Sequence, residues 1–545
     1  MAKRYSIHPA IGVARVGTSA EFYVGPEIPG VLASPPDGHY RDAAKDLRRQ
    51  AARFWVFESD DDQPALAPRP AFAGEGGIAR IEWTVRLANK KAFWFKFDGL
   101  KGEGPAGYSP GHPLRNADIQ DPAERRRRLI IDPGPRRLTD RNQRVEIEKG
   151  NSGGHPETWP GPLTGDQEIR SLGTLSTDAK GRLIVAGGFG VSGTTGPLPN
   201  NGHLNYDNNE KWFDDVSDGP VSARVVFDDG TAQEVTPAWL IVGPPDFAPP
   251  IENIVTMYDT LFDLAVRKFG AALQLFEKAT GQFKTTYEPS FTTEVYPILR
   301  RAANQEWVIE EASGNHRWNY AALASKPFTA APGVLPPEKI FNEKLRSPED
   351  WRKPFREDHR MPRQFGDDDE KTSLTLTRTQ YHIMRQWGHG IFKADWQGTP
   401  PPENTVTAAG LDRAALENCA GGAFFPGIEA SWIMRDARIY KEPLRFKPSL
   451  DFDEEHNPNG LTPGSVTMRS ALPWQADFLK CGVNWWPAQR PDQVRASAAA
   501  TFSQNWIEGI QNHVDLVKRW SLLGIVIPAV DPSIGVKFHE SEREL

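Results

Sequence analysis

Residues 80–87 read RIEWTVRL, a segment in which every second residue is apolar. A period of two places one face of a β-strand on a core and the other in water. Further strand signals are found at 93–97, 183–186, 222–227 and 234–242, with the last two flanking the turn at 228–230. The first half of the chain is therefore predicted to form antiparallel sheets in a β-sandwich-like arrangement.

A boundary follows at residues 243–250, which read GPPDFAPP. Consecutive prolines interrupt both strand pairing and helices. Beyond them, apolar residues recur at helical spacing in 254–273, 374–387 and 502–520. We expect an α+β protein with a β-rich domain at 1–250 packed on a mainly helical, loop-rich domain at 251–545.

Composition excludes several classes of protein. The 545 residues carry a net charge of −7 and contain 48 Gly, 47 Pro and 17 Trp, which indicates long shaped loops and an unusual number of indoles. The one dense basic run, at 125–128, is too short to track a phosphate backbone. No apolar run of membrane-spanning length occurs, and residues 1–10 lack the pattern of a signal peptide. We expect a soluble protein that binds neither nucleic acid nor membranes.

Residues 188–193 match the dinucleotide-binding pattern G-x-G-x-x-G. The sequence TTGPLPNNG that follows cannot open the helix whose N-terminus would bind a pyrophosphate. A glycine-rich surface or active-site loop is the better prediction.

Asn205-Tyr206-Asp207 is the tripeptide in which copper amine oxidases convert a tyrosine into topaquinone. Those enzymes also need three histidine ligands, two of them supplied as His-x-His, and no such pair occurs here. No metal site is therefore predicted, and His382 and His389 are interpreted as ordinary packing or surface histidines.

The chain has two cysteines, Cys419 and Cys481, too few for a disulfide framework. Capping signals at both ends of 470–482 predict a helix, on which Asp477 and Cys481 share one face. A carboxylate one turn before a thiol can act as a base or assist chemistry on the sulfur. A buried cysteine beside an aspartate remains the alternative.

One predicted helical stripe runs through 502–520. It consists of Phe502, Trp506, Ile510, His513, Val517 and Trp520. The pattern alone indicates a core face that contains one histidine with satisfied hydrogen bonds.

Four longer segments carry a family resemblance. They are IHPAIGVARVG at 7–17, NYDNNEKWFDDVSDGP at 205–220, GGAFFPGIE at 421–429, and PWQAD at 473–477 with NWWPAQRP at 484–491. Together they resemble the lysine ε-oxidase and glycine oxidase quinoprotein family, nearly from end to end. Members of this family build a cysteine tryptophylquinone by cross-linking a Cys sulfur to a Trp ring through a thioether.

The resemblance implies roles for individual residues. Cys481 corresponds to the cross-linked cysteine, and Asp477, four residues earlier, to the residue that assists cofactor formation and then acts as the catalytic base. Cys419 is expected to be a second, substrate-side thiol, because Ala415 stands where an aspartate would be needed. Trp520 is favoured as the cross-linked tryptophan, with Trp506 or Trp485 as alternatives.

The resemblance also implies an activity. His513 corresponds to a substrate-contacting histidine of glycine-oxidising members, and Tyr206 to an aromatic residue beside the quinone. We therefore expect oxidative deamination of a small amino acid, with glycine favoured, to an oxo acid, ammonia and hydrogen peroxide. The alternatives are a lysine ε-oxidase, or a protein of this fold that forms no quinone and acts as a binding protein or with another cofactor.

The expected partners are the amino acid and O2, an FAD-dependent flavoprotein that supports maturation, and further copies of the chain in a homo-oligomer. Lack of a signal peptide predicts maturation in the cytoplasm, with later export by another route left open.

Overall fold

The computed structural model describes most of the chain. The described residues are 3–60, 66–98, 108–109, 111–165, 167–309, 318–353, 360–362, 373–400, 403–422, 427–449, 460–481, 487–531 and 535–545.

The strands lie mainly in the first half of the chain. They are β1 Lys3–His8, β2 Ile11–Arg15, β3 Phe22–Val24, β4 Arg49–Asp60, β5 Arg69–Ala71, β6 Ile78–Val85, β7 Arg136–Leu138, β8 Arg144–Glu148, β9 Ser171–Thr177, β10 Leu183–Ala186, β11 Ser192–Thr194, β12 Trp212–Asp214, β13 Ser217–Phe227, β14 Ala232–Glu234, β15 Ala238–Gly243, β16 Phe276–Glu277, β17 Gln282–Phe283, β18 Tyr440–Glu442, β19 Arg445–Phe446, β20 Gln493–Val494, β21 Gln504–Asn505, β22 Ile525–Asp531 and β23 Gly535–Ser541.

The helices are short. They are α1 Pro122–Leu129, α2 Met257–Leu264, α3 Tyr296–Asn304, α4 Tyr320–Leu323, α5 Pro337–Lys339, α6 Arg378–Gly388, α7 Ala408–Glu417, α8 Phe478–Cys481 and α9 His513–Arg519. Strands and helices together confirm the α+β class. Among these described helices, none combines the length and the apolar character needed to cross a bilayer.

One large sheet dominates the fold. Its strand order is β7-β6-β13-β15-β2-β4-β10-β9-β8, with β1, β3 and β5 also on β4 and β14 on β13. The sheet is nearly closed, and the side chain of Arg136 of β7 donates to the carbonyl of Glu148 of β8 at 3.0 Å, a contact between the two end strands. Strand β6 has the predicted alternation, with Ile81, Trp83 and Val85 buried.

Three strand predictions are corrected. The sheet is mixed rather than antiparallel, because β15 runs parallel to β2 and β3 runs parallel to β4. Its strands form one continuous sheet where a sandwich was expected, since alternation reveals the faces of a strand but not its neighbours. Residues 93–97 form turns with a single bridge between Phe95 and Leu114, not a strand.

The structure contains a helix in each of the three predicted helical regions, but the third region is not one continuous helix. Residues 254–273 contain α2, which begins with a capping box at Thr256. A π-helical turn follows α2 directly and ends at Gly270. Residues 374–387 contain α6, which begins at a second capping box. The prediction of one helix at 502–520 is wrong. Only α9 forms an α-helix there, β21 pairs with β20, and Phe502 is 76% exposed.

The principal hydrophobic core connects the sheet to the last hundred residues. It combines Trp83 and Leu240 of the sheet with Trp474, Trp506 and Trp520. The predicted domain boundary at residue 250 stays a prediction. The core contains residues that come before this boundary and residues that come after it.

Candidate active site

Asp477 lies in a turn, not inside a helix. Within the described part of the predicted helix, residues 470–481, only α8 is formed, and residues 474–477 are turns. The amide of Trp474 donates outside the segment, to Asp214 Oδ2 at 3.0 Å, and the amide of Ala476 donates to the carbonyl of Pro473 at 3.0 Å, which closes a turn and is not the i→i−4 bond of an α-helix. Asp477 thus immediately precedes α8, and Cys481 is its last residue.

The two carboxyl oxygens of Asp477 have different surroundings. The side chain is fully buried; Oδ1 accepts a hydrogen bond from Arg490, whereas Oδ2 has no partner among the described residues. Burial raises the pKa of Asp477 to about 6, although Arg490 and Lys91 act to lower it. A pKa in this range suits a group that exchanges a proton near neutral pH.

Arg490 was missed by reasoning from the sequence alone. Its guanidinium lies 4.1 Å from the ring centroid of Phe478 and donates to the carbonyl of Trp474 at 3.2 Å. The available signal was its place between two prolines in the last of the four segments, but nothing in that pattern indicated a carboxylate partner. Because Arg490 binds Oδ1 and so orients the carboxyl group of Asp477, Oδ2 stays available to exchange a proton.

An aromatic cluster surrounds α8. The rings of Trp474 and Trp520 meet edge to face with centroids 5.0 Å apart, and Phe478 lies 5.8 Å from Trp474 and 5.9 Å from Trp506. The indole N–H of Trp506 donates to the carbonyl of Gly524 at 2.9 Å. Of the described candidates for the cross-linked tryptophan, Trp506 contacts Phe478 of α8 directly, and Trp520 is connected to it through Trp474. The third candidate, Trp485, lies outside the described residues.

The glycine-rich segment 188–193 lies against Trp520. Gly190 has φ +74°, and a Cβ added there would overlap Cζ2 of the Trp520 ring and lie 2.7 Å from Cη2. Strand β11, not a helix, follows the glycines, which agrees with the expectation of an active-site loop and not a dinucleotide site. The six-membered ring of Trp520 thus faces bare backbone.

Several buried polar atoms of the segments around the Asp477 turn and the glycine-rich segment have no hydrogen-bonding partner in the described part of the chain. They are Trp474 Nε1, both amide atoms of Gln475, Asp477 Oδ2 and both carboxyl oxygens of Asp215. Unpartnered buried polar atoms are costly and rare in folded proteins. Unbonded buried polar atoms of this kind fit a site that holds a further polar group, such as a quinone.

The loop that carries Tyr206 is held against the Asp477 turn. The amide of Leu472 donates to the carbonyl of Asp207 at 2.9 Å, and Arg115 donates to the carbonyls of Asp207 and Ser470 at 3.2 and 3.1 Å. Burial raises the pKa of Asp207 to about 6, with Arg115 acting to lower it and Asp477 to raise it. Tyr206 itself is half-buried.

Lys91 and Asp214 form a second buried link between these segments. Lys91 Nζ lies 2.7 Å from Asp214 Oδ2 and donates to the carbonyl of Ala471 at 2.8 Å. Burial lowers the pKa of Lys91, and Asp214 acts to raise it. Neither residue was singled out from the sequence.

His513 begins α9, next to Asn512, which caps the helix. Its ring is buried and meets the exposed His203 edge to face, with centroids 5.5 Å apart. The amide of Val514 donates to the carbonyl of Gly202 at 3.0 Å, which fixes this contact. A pair of imidazoles, not one histidine, therefore lies at this end of α9.

Cys419 lies in a different hydrophobic cluster, with Ile11, Trp239 and Leu416. Its Sγ lies 3.3 Å from the carbonyl oxygen of Ala415, and burial raises the pKa of the thiol. A role for Cys419 in substrate binding stays a prediction.

Within the described residues, no group of three or more His, Cys, Asp or Glu side chains is arranged to hold a metal ion. His382 is buried and stacks on Phe283 with ring centroids 4.8 Å apart, as expected of a packing histidine.

Comparison with known proteins gives a consistent result. Residues 8–242 match the family L-lysine epsilon oxidase N-terminal, and residues 360–506 match the L-lysine epsilon oxidase C-terminal domain. The chain is 32% identical to the L-lysine 6-oxidase of Marinomonas mediterranea, over 91% of this chain and 73% of that protein.

Two solved structures of the Marinomonas mediterranea enzyme agree with this match. The crystal structure of its L-Lys epsilon-oxidase superposes with a TM-score of 0.83 at 28% identity, over 99% of this chain and 94% of that one. A structure of its Schiff base intermediate with L-Lys gives the same TM-score and identity, over 99% and 95%.

We predict that Arg490→Met lowers the free energy of unfolding by about 3–5 kcal/mol, because it leaves the buried carboxylate of Asp477 without its partner. Adding Asp477→Asn should restore part of the loss, since no charge then remains buried. Urea unfolding followed by tryptophan fluorescence measures both. Arg438→Met, which removes a partly exposed pair with Asp436, is the control; an equal loss in both variants would contradict the prediction.

Proposed function

The chain belongs to the L-lysine epsilon-oxidase family, and from this premise we propose that it oxidises the ε-amino group of L-lysine with a cysteine tryptophylquinone formed from Cys481 and Trp520. Membership makes the protein an amino acid oxidase. The products of the proposed reaction are an aldehyde, ammonia and hydrogen peroxide. The observation that carries the choice of substrate is the similarity to L-lysine 6-oxidase along nearly the whole chain.

Lysine replaces glycine as the favoured substrate. His513 and Tyr206 led us to expect glycine, but the relatives described above are lysine oxidases, which favours the alternative. The position of His513 also suits a long substrate. It lies seven residues before Trp520, roughly 10 Å along a helix axis at 1.5 Å per residue. The side chain of lysine spans most of such a distance, whereas glycine carries its amine and carboxylate on one carbon.

The proposed role of the histidine pair is to bind the far end of lysine. Imidazole N–H groups donate hydrogen bonds to carboxylates, more strongly when protonated. His513 and His203 meet edge to face, so that one carboxylate can contact both rings. The ε-amino group then points along α9 toward Trp520.

Asp477 is the proposed catalytic base. Its Oδ2 takes the proton from the substrate carbon that bears the reacting amine, while Arg490 holds Oδ1 and fixes the orientation of the carboxyl group. Buried surroundings exclude water, which raises the basicity of Asp477 above that of an exposed carboxylate. A quinone on Trp520 supplies the electrophile for the amine and accepts the electron pair, which no unmodified side chain can do.

Cys481 is the proposed donor of the sulfur. Its helix, α8, carries Phe478 into the aromatic cluster, and Asp477 immediately precedes it. Cys419 lies in another cluster, against Arg15. Oxidation of a tryptophan ring removes several electrons, so we propose that an FAD-dependent flavoprotein supplies the oxidant.

We predict that Cys481→Ala abolishes the cross-link and the visible absorbance, whereas Cys419→Ala retains both. Trp520→Phe should behave like Cys481→Ala, and Trp506→Phe should keep the cross-link. Intact-mass spectrometry and absorbance spectra of protein matured with the flavoprotein measure this. A coloured Trp520→Phe protein would move the site to Trp506 or Trp485, and unmodified wild type would favour a protein that forms no quinone.

We predict turnover of L-lysine and none of glycine in a peroxide assay across the amino acids. His513→Ala should raise KM for lysine more than it lowers kcat, because it removes binding that ground and transition states share. His389→Ala, at the exposed end of α6, is the control. Strong turnover of glycine with none of lysine would restore the expectation from the sequence.

We predict that kcat/KM rises with pH through a midpoint near 6, because Asp477 must lose its proton to act as a base. Below the midpoint the rise should be about tenfold per pH unit. In Arg490→Met the midpoint should move to higher pH, since Arg490 lowers the pKa of Asp477. A pH profile that is flat from 5 to 7, or unchanged in Arg490→Met, would contradict the assignment.

A further inference from the structure

The glycine-rich turn at 187–191 contacts both Trp520 and a buried carboxyl group, through two different glycines. On one side Gly190 packs on the ring of Trp520, and on the other a Cβ added to Gly188 would lie 2.5 Å from Asp215 Oδ2. Side chains at either glycine would push the turn away from its neighbours. Only bare backbone fits between the carboxyl group and the indole.

Asp215 is directed at the amides of this turn. Strands β11 and β12 pair Ser192 with Asp214, so that Asp215 follows directly beside the turn. Its side chain is 1% exposed, and burial raises its pKa to about 7, against the lowering effect of the amides of residues 189–191. Within the described residues neither oxygen has a hydrogen-bond partner, so the amides of 189–191 lower the pKa by their proximity and not as bonded donors.

Contacts that do not involve Asp215 hold the start of the turn. Arg49 donates to the carbonyl of Gly187 at 3.0 Å, and its guanidinium lies 4.5 Å from the ring centroid of Phe189. These contacts fix where the turn begins. Gly188 itself is supported by the carboxyl group of Asp215 and by the amide of Gly17, which donates to its carbonyl at 3.4 Å.

We propose that Asp215 is a positioning residue, which holds the turn at 187–191 against the six-membered ring of Trp520 and so sets the ring in place for its oxidation. Asp215 acts through the turn and does not touch the ring. The expected effect of Asp215 on quinone formation rests on the proposed function. Its expected effect on the positions of the turn and the indole does not depend on that function.

Asp215→Ala and Asp215→Asn separate positioning from general stability. A carboxamide keeps an oxygen of similar size beside these amides, whereas alanine removes it. Asp218→Ala is the matched control, because Asp218 is equally buried but accepts from Val466, Thr467 and Trp239. Gly190→Ala tests the contact with the ring. Its control is Gly134→Ala, at φ +75°, where a Cβ overlaps the ring of His155 instead.

Hydrogen exchange of the chain made without the flavoprotein is the first measurement. Asp215→Ala should raise exchange of the amides at 187–191 about tenfold, as a local opening does, while Asp215→Asn and Asp218→Ala leave it near wild type. The near-ultraviolet circular dichroism that Trp520→Phe removes should also be lost in Asp215→Ala. Wild-type exchange and an unchanged signal in Asp215→Ala would overturn the proposal.

Intact mass after maturation is the second measurement. Asp215→Ala and Gly190→Ala should lose most of the cross-linked species, and Asp215→Asn and Gly134→Ala should keep it. A wild-type yield in Gly190→Ala would overturn the proposal even if Asp215→Ala fails to fold. Absence of the cross-link from wild type would count against the proposed function instead, and the exchange and dichroism results would still decide the role of Asp215.

Discussion

The buried ion pair of Lys91 and Asp214 connects the two halves of the site. Lys91 also donates to the carbonyl of Ala471, and Asp214 accepts from the amide of Trp474, so that one pair holds the turn before Asp477 against β12. A buried pair is stable only where further hydrogen bonds satisfy both ions, and these two backbone bonds supply them. This link adds to the bonds of Leu472 and Arg115 that also hold the segment before Asp477.

Around this link the protein keeps three carboxyl groups out of water. Burial raises the pKa of Asp207 and Asp477 to about 6 and that of Asp215 to about 7. Each raised pKa means that ionisation opposes folding as pH rises from the ordinary value of an aspartate toward neutrality. Such groups are a cost to stability, and they concentrate where a protein needs proton transfer or fixed orientation.

Local patterns predicted the local features well. The alternation at 80–87 identified β6, and spacing placed α2 and α6, because these depend on neighbouring residues alone. The helix expected at 502–520 failed because residues 504–505 pair with β20, a contact that no periodicity contains. Asp477 could be singled out by its motif, but its partner Arg490 and the contact between Gly190 and Trp520 arise only when distant segments meet.

The glycine turn and Trp520 come from distant parts of the chain, and so do Lys91 and Ala471. Contacts of such high sequence separation close large loops, whose entropic cost makes them late events in folding. The surroundings of Trp520 are therefore complete only when the sheet and the last fifty residues have assembled. Chemistry that depends on those surroundings therefore occurs only in correctly folded chains, because Trp520 is an ordinary indole in a chain with a misassembled sheet.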